Sequence, residues 1–306
     1  MFRNIIKSLK SVLFWEVRAE QQQQRERIEE LTKLAYSQVE IGQKQLVLEF
    51  NRLKQLPREQ RPSLADVGFR VHSQFEEDGI LLYIFSLIGT TNKRSIEIGA
   101  SDGRECNTAN FILYHGWRGL LLDGSEKFVK RGKKFFAGHP NAVLNQPVFI
   151  HSWITKDNIN NIIEDAGFAG EIDLLSVDID STDYYIMDAI DSANPRVIIC
   201  EIHSGIPITE ALTIPYSDSH FAMDKPYPEV LFRSLSMAAA DKLLTKKGYR
   251  LIGAHKFGFN VIFMRNDVGT EDFPAIDLES ARGMYFDEEK MGKQWEDIKD
   301  LAWERV

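Results

Sequence analysis

The stretch Ser95-Ile-Glu-Ile-Gly-Ala-Ser-Asp-Gly103 sets the tightest limit on what this chain can fold into. A short apolar run carries an acid and is followed at once by two glycines four residues apart. That is how a buried parallel strand reads when it stops beneath a ligand and hands over to a helix. Glycine lacks Cβ and takes positive φ, so the backbone can approach a bound molecule closely there. A helix beginning near Glu105 would direct its free N–H groups at the same place. Such turns also need glycine for packing alone, and both readings stand at this point.

From residue 64 onward, apolar runs and helical periodicity alternate. Helices are expected over 74–87, 107–115, 126–136, 156–166 and 182–190, and strands over 95–99, 117–124, 142–150, 172–178 and 196–202. Short strands separated by helices form crossovers, hence a parallel sheet covered on both faces. After a helix over 229–247, two apolar runs, 248–253 and 260–264, are joined by residues 254–259 alone. That link is too short for a parallel crossover, so the two pair antiparallel. The expected fold class is α/β: a doubly wound, mostly parallel seven-stranded sheet closed by an antiparallel hairpin, with an N-terminal helical arm.

Composition narrows the function classes. With 43% hydrophobic and 27% charged residues, the 306-residue chain has an ordinary soluble globular make-up. A net charge of -8 disfavours nucleic acid as a partner, which needs a basic face. Cys106 and Cys200 are too few for a disulfide framework or a cysteine zinc site, so they read as reduced thiols of a cytoplasmic protein. No apolar run approaches the roughly 18–20 residues that span a bilayer. The N-terminal stretch is broken by Arg3, Lys7 and Lys10 and does not read as a signal peptide.

Three regions are expected: a helical arm over 1–62, the α/β domain over 63–267 and an acidic helical extension over 268–306. In the arm, Phe2, Ile5, Ile6, Leu9, Val12, Leu13 and Trp15 follow helical spacing, with Arg3, Lys7, Lys10 and Arg18 opposite. Residues 1–18 could therefore lie against an anionic membrane surface, or dock on a protein. Further on, Ile28, Leu31, Ala35, Val39, Leu46, Phe50 and Leu53 form a stripe whose heptad register breaks near Gly42. A short arm pairing two protomers into a homo-oligomer is expected, not a long regular coiled coil. Pro57 and Pro62 end it. The extension closes on a helix carrying Trp295, Ile298, Leu301 and Trp303.

Ligands of open α/β sheets sit outside the carboxyl ends of the strands, where the strand order reverses. Four expected strand ends carry acids: Glu97, Asp123, Asp178 with Asp180, and Glu201. Asp123, ending the neighbouring strand, is placed to accept both hydroxyls of a ribose. Asp178, Asp180 and Glu201, with His203, could bind Mg²⁺ or a similar hard cation. They could equally hold a substrate hydroxyl while Asp180 or His203 removes its proton. Asp183 also reads simply as an acid favouring a helix N-terminus. Gln74, Glu77 and Asp78 could close the far end of a ligand, or merely begin a helix. The proline-broken connection over 203–228, with Tyr216, His220, Phe221 and Tyr227, reads as a lid or substrate element, or else a subunit contact.

The segments Ser73-Gln-Phe-Glu-Glu-Asp-Gly79, Ile96-Glu-Ile-Gly-Ala-Ser-Asp-Gly-Arg-Glu-Cys-Asn-Thr-Ala-Asn110 and Leu175-Ser-Val-Asp-Ile-Asp-Ser-Thr-Asp183 resemble those of FkbM-type methyltransferases. The resemblance covers about residues 70–267. A sheet closed by an antiparallel hairpin is likewise associated with class I methyltransferases and is absent from a plain dinucleotide-binding fold. The resemblance implies a Rossmann-like fold that binds S-adenosylmethionine and O-methylates sugars or natural products. It implies that Glu97, Gly99 and Gly103 cradle the methionine and ribose part and Asp123 the ribose hydroxyls. Gln74, Ala100, Gly124 and Asp178 complete the candidate cofactor contacts, and residues 146–152 would lie near the adenine. The family usually shows Asp-x-Glu-Gly-x-Glu after the fourth strand; here Asp178-x-Asp180-Ser181-x-Asp183 stands there, with shorter acids and no glycine. The expected acceptor is a saccharide or lipid-linked glycan hydroxyl. Two alternatives remain, a non-catalytic cofactor-binding module of a polysaccharide-assembly system and an NAD-dependent oxidoreductase.

Overall fold

The computed structural model describes residues 2–219, 222–283 and 286–306, without the side chains of 2–13 and 16. The chain falls into two compact units, Met1–Glu49 and Phe50–Val306. The first is carried by α1 (Phe2–Leu53), whose last turn belongs to the second. The helix contains no proline. Glu29–Lys33 at 3.0 Å and Glu40–Lys44 at 2.5 Å support it with the acid N-terminal to the base, the favourable sense. The apolar stripe expected over 2–13 lies outside the described side chains. Phe14 and Trp15 are exposed, and the Arg18 guanidinium lies over the Phe14 ring. Among the described residues, no helix is long and apolar enough to cross a membrane.

The second unit is built on seven strands: β1 (Arg94–Ile98), β2 (Arg118–Asp123), β3 (Val148–His151), β4 (Gly170–Val177), β5 (Ala193–Glu201), β7 (Tyr249–Ala254) and β8 (Asn260–Arg265). Their order is β3-β2-β1-β4-β5-β8-β7. The first five pair parallel, and β8 joins both β5 and β7 antiparallel. The expected parallel sheet with its closing hairpin is therefore present. The chain enters at β1, third from one edge, winds out to β3, then crosses to β4, so the order reverses between β1 and β4.

Helices cover both faces. Ile96, Ile98, Leu120, Leu122, Val177, Ile198 and Phe263 pack against α5 (Ile159–Asp165), α6 (Asp183–Ala189) and α7 (Met237–Lys246). Alternate strand residues such as Glu97 and Asn260 point to the other face, toward α2 (Glu77–Ile88) and α3 (Ala109–Tyr114). There Phe85, Phe111 and Trp117 form an aromatic cluster, with centroids 4.5 Å apart for Phe111 and Trp117. The helix α4 (Glu126–Gly138) follows β2, its N-terminus capped by Ser125. In the extension, Phe273 packs edge-on against Tyr83, and α8 (Glu288–Ile298) follows.

Two boundaries differ from expectation for local reasons. The third strand starts at Val148, not 142, because Gln146 Nε2 donates to the carbonyls of Phe136 and Ala142 and holds a turn. The helix expected from 229 starts at Met237. Ser234 has φ +60°, and the Ser236 hydroxyl caps the N-terminus by accepting from Ala239 N–H. An unexpected pair of two-residue strands, β6 (Leu212–Thr213) and β9 (Glu304–Arg305), joins antiparallel and ties the extension to the connection after β5.

Candidate functional site

At the reversal of strand order lies a cavity of about 450 Å³. Its walls include Gly99 after β1, Leu122 and Asp123 at the end of β2, Phe128 on α4, and Asp178 to Thr182 after β4. Asp123 is positioned by the turn it ends. Its Oδ2 accepts from Ser101 N–H at 2.8 Å and its Oδ1 from Ser125 N–H at 2.7 Å. A carboxylate offers about four acceptor sites, so two remain for ligand hydroxyls. Burial raises its pKa. Gly124, beside it, has no room for a side chain: a Cβ would meet the Trp153 ring at 2.9 Å. Trp153 and Ile154 form a wall after β3, and the indole N–H donates to the Asp218 carbonyl.

The glycines have packing reasons of their own. Gly99 sits at φ +90°, and a Cβ there would fall 1.6 Å from the Asp178 carbonyl oxygen. A Cβ on Gly103 would strike the Phe136 ring at 2.6 Å. Gly99 still borders the cavity, whereas Gly103 is not among its lining residues.

Glu97 is turned into the protein. Its oxygens accept from the N–H groups of Asn107 and Thr108 and from the Ser176 hydroxyl, at 2.9–3.1 Å, and fasten the lead-in of α3 to the sheet. Ala100 is fully buried and donates its N–H to the Leu122 carbonyl. Gln74 is exposed. None of these three lines the cavity. Glu77 accepts from Asn260 Nδ2, and Asp78 from three successive backbone N–H groups, so both knit the start of α2. Residues 146–152, expected near the adenine, do not line the cavity, whereas Trp153 and Ile154, just downstream, do.

The structure brings Asp178, Asp180 and Glu201 together, with carboxylate oxygens within 4.8 Å of one another. Burial, then the charges of Asp180 and Asp183, push the pKa of Asp178 up to about 8. Burial and Asp178 raise Glu201 well above the carboxylate range. Both carboxyls are therefore harder to ionise than an ordinary carboxyl. Asp180 lies at φ +52°, a left-handed conformation costly for a residue with a Cβ. It is held by Arg233 at 2.8 Å and by Ser234 N–H donating to the adjoining Ser181 carbonyl. Asp183 accepts from Ile179 and Ser181 N–H, which closes the turn below the acids. Three carboxylates are a hard-oxygen donor set of the kind Mg²⁺ takes. Arg233 occupies Asp180 in this arrangement, and a cation would have to displace it.

His203 leaves β5 beside these acids but is committed elsewhere. Its Nδ1 accepts from Gly205 N–H at 3.2 Å, and its ring lies edge-on to Trp303. Burial, then Arg233, lower its pKa to about 4, so the imidazole is neutral. The connection around it roofs the cavity with Ser217 and Met223. Tyr216 packs edge-on to Tyr185 and carries Lys156 over its ring. His220 and Phe221 lie outside the described residues. The sequence reading did not single out Ser101, Ser125, Phe128, Trp153 or Met223. The strand-end rule, applied to the third strand, would have found Trp153.

No protein-family profile matches the chain, and no curated protein does. Among solved structures, the chain is similar to the N-terminal domain of EvdMO1 with SAH bound, at 14% identity over 70% of this chain and 95% of that one, TM-score 0.40. The mitomycin 7-O-methyltransferase MmcR overlaps at 14% identity over 62% and 52%, TM-score 0.37. The glycopeptide N-methyltransferase MtfA complexed with SAM overlaps at 14% identity over 57% and 87%, TM-score 0.37. Overlaps of this depth establish neither a family nor a reaction.

Proposed function

We propose that this chain is an S-adenosylmethionine-dependent O-methyltransferase acting on a hydroxyl of a saccharide or lipid-linked glycan. The observation that carries the reading is Asp123: a carboxylate fixed by two backbone N–H groups, facing a cavity at the strand-order reversal of a hairpin-closed sheet. It would accept the ribose hydroxyls, with Phe128, Trp153 and Ile154 flanking the base and Gly99 and Asp178 at the opposite side. When bound, the cofactor supplies a methyl group made electrophilic by its sulfonium. The protein then has to orient the acceptor hydroxyl and take its proton. Asp180 borders the cavity, where it would orient that hydroxyl and take its proton as general base. His203 serves to hold the 203–205 turn.

Titration calorimetry with S-adenosylmethionine, S-adenosylhomocysteine and NAD is the first test. The two sulfur ligands should bind and NAD should not; the reverse outcome sinks the proposal. Transfer of a labelled methyl group to candidate glycans should then be lost in Asp180→Ala and survive, reduced, in His203→Ala. Binding of the cofactor without transfer to any hydroxyl acceptor would favour the non-catalytic module.

A further inference from the structure

We infer that α1 pairs with the same helix of a second copy of this chain, in parallel, along a seam formed by Leu31, Leu34, Gln38, Ile41, Gln45 and Leu48. These residues are spaced alternately by three and four along a described helix, so they share one face without a break. Leu31, Leu34, Ile41 and Leu48 are 57%, 56%, 51% and 64% exposed. The stripe that sequence spacing first suggests is a different one. It passes through Val39 and Phe50, and Phe50 is buried on Tyr83 in the second unit. On the seam found here, Gly42 is a flanking residue and interrupts nothing.

The pattern specifies the partner. Leu34, Ile41 and Leu48 occupy the d positions, while Leu31, Gln38 and Gln45 occupy the a positions. Leucine at d favours two strands, and a polar residue at a fixes register. In a parallel pair each glutamine meets its own counterpart, and amide can bond amide. An antiparallel pair would set both amides against leucine or isoleucine and leave them unsatisfied. In parallel, Lys44 at g, which bonds Glu40 within its own helix, faces Glu49 at the following e position of the second copy, so no like-charge repulsion opposes this register. The flanks also argue against a lipid surface. Glu29, Glu30, Glu40 and Glu49 outnumber Lys33 and Lys44 there, the wrong balance for an anionic bilayer. A seam about 26 Å long, at 1.5 Å per residue, supplies packing for the face that Leu31, Leu34, Ile41 and Leu48 leave exposed.

Light scattering on the full chain, eluting at micromolar concentration, should give about twice the 35.1 kDa of one chain. Ile41→Asp should halve that mass while leaving the melting transition of the second unit unchanged. Gln45→Cys should oxidise to a disulfide-linked pair in the otherwise native chain, whereas Glu29→Cys, on the opposite face, should not. A single-chain mass at every concentration overturns the proposal, with or without sedimentation on anionic vesicles. So does a double mass that Ile41→Asp does not change. A pair that forms without the Gln45→Cys cross-link overturns the parallel orientation.

Discussion

Asp123 and Asp178 share the strand-end position but differ in their neighbours, backbone N–H groups for the first and carboxylates for the second, and each predicts a different measurement. Asp123 gives two acceptor sites to backbone N–H groups and keeps two for a ligand. Asp123→Ala should weaken S-adenosylmethionine binding by roughly 10- to 100-fold in calorimetry, as expected of a hydrogen bond to a charged group. Asp178 holds its proton up to about pH 8 in the fold, against an ordinary value of 3.8. A raised carboxyl pKa means that the folded state binds more protons than the unfolded chain across this window. The contribution to stability is full below pH ~4 and is lost as pH rises toward about 8. The melting temperature should therefore fall as pH rises from about 6 to about 8, and Asp178→Asn should flatten that fall. Both acids were legible in the sequence because each ends an apolar run. The inward turn of Glu97 was not, since its partner Ser176 comes from β4, far along the chain. His203 was misleading for the same reason: only the folded chain brings Gly205 N–H and Trp303 to its ring.

Elements were read well where periodicity was long and poorly where side chains competed with it. The strands β1, β2, β4, β5, β7 and β8 follow continuous apolar runs, and the short final link marked the antiparallel hairpin. The order of the strands was not legible, because it depends on which edges meet across the crossovers. The start of β3 was hidden because Gln146 bonds backward to a turn, and the start of α7 because Ser234 breaks the chain direction. Two-residue strands such as β6 and β9 carry no periodicity to detect. The turn after β1 makes the sharpest prediction at this scale. Gly99→Ala combines an unfavourable φ with a Cβ driven into the Asp178 carbonyl, and backbone on both sides prevents escape. The loss in denaturant unfolding should reach the ~4 kcal/mol at which single substitutions become exceptional. A loss under about 1 kcal/mol would mean that the strands separate there more easily than their register implies.

For the whole molecule, a ligand that binds only the folded second unit must raise its melting temperature. S-adenosylmethionine at a hundred times its dissociation constant adds about 2.7 kcal/mol. For a unit of this size that corresponds to about 5–10 °C in a thermal-shift scan, with no shift from NAD. The same shift should appear with residues 1–49 deleted, because the cavity lining falls within the second unit. The pairing of β6 with β9 also gives the molecule a schedule. On the ribosome, Leu212 and Thr213 emerge well before Glu304 and Arg305, by about 5–20 s at ordinary elongation rates. During that interval the connection after β5 is held by its bridge from Thr213 to Leu235 and lacks the pairing with β9. A nascent chain can complete the central sheet before Glu304 and Arg305 close onto that connection.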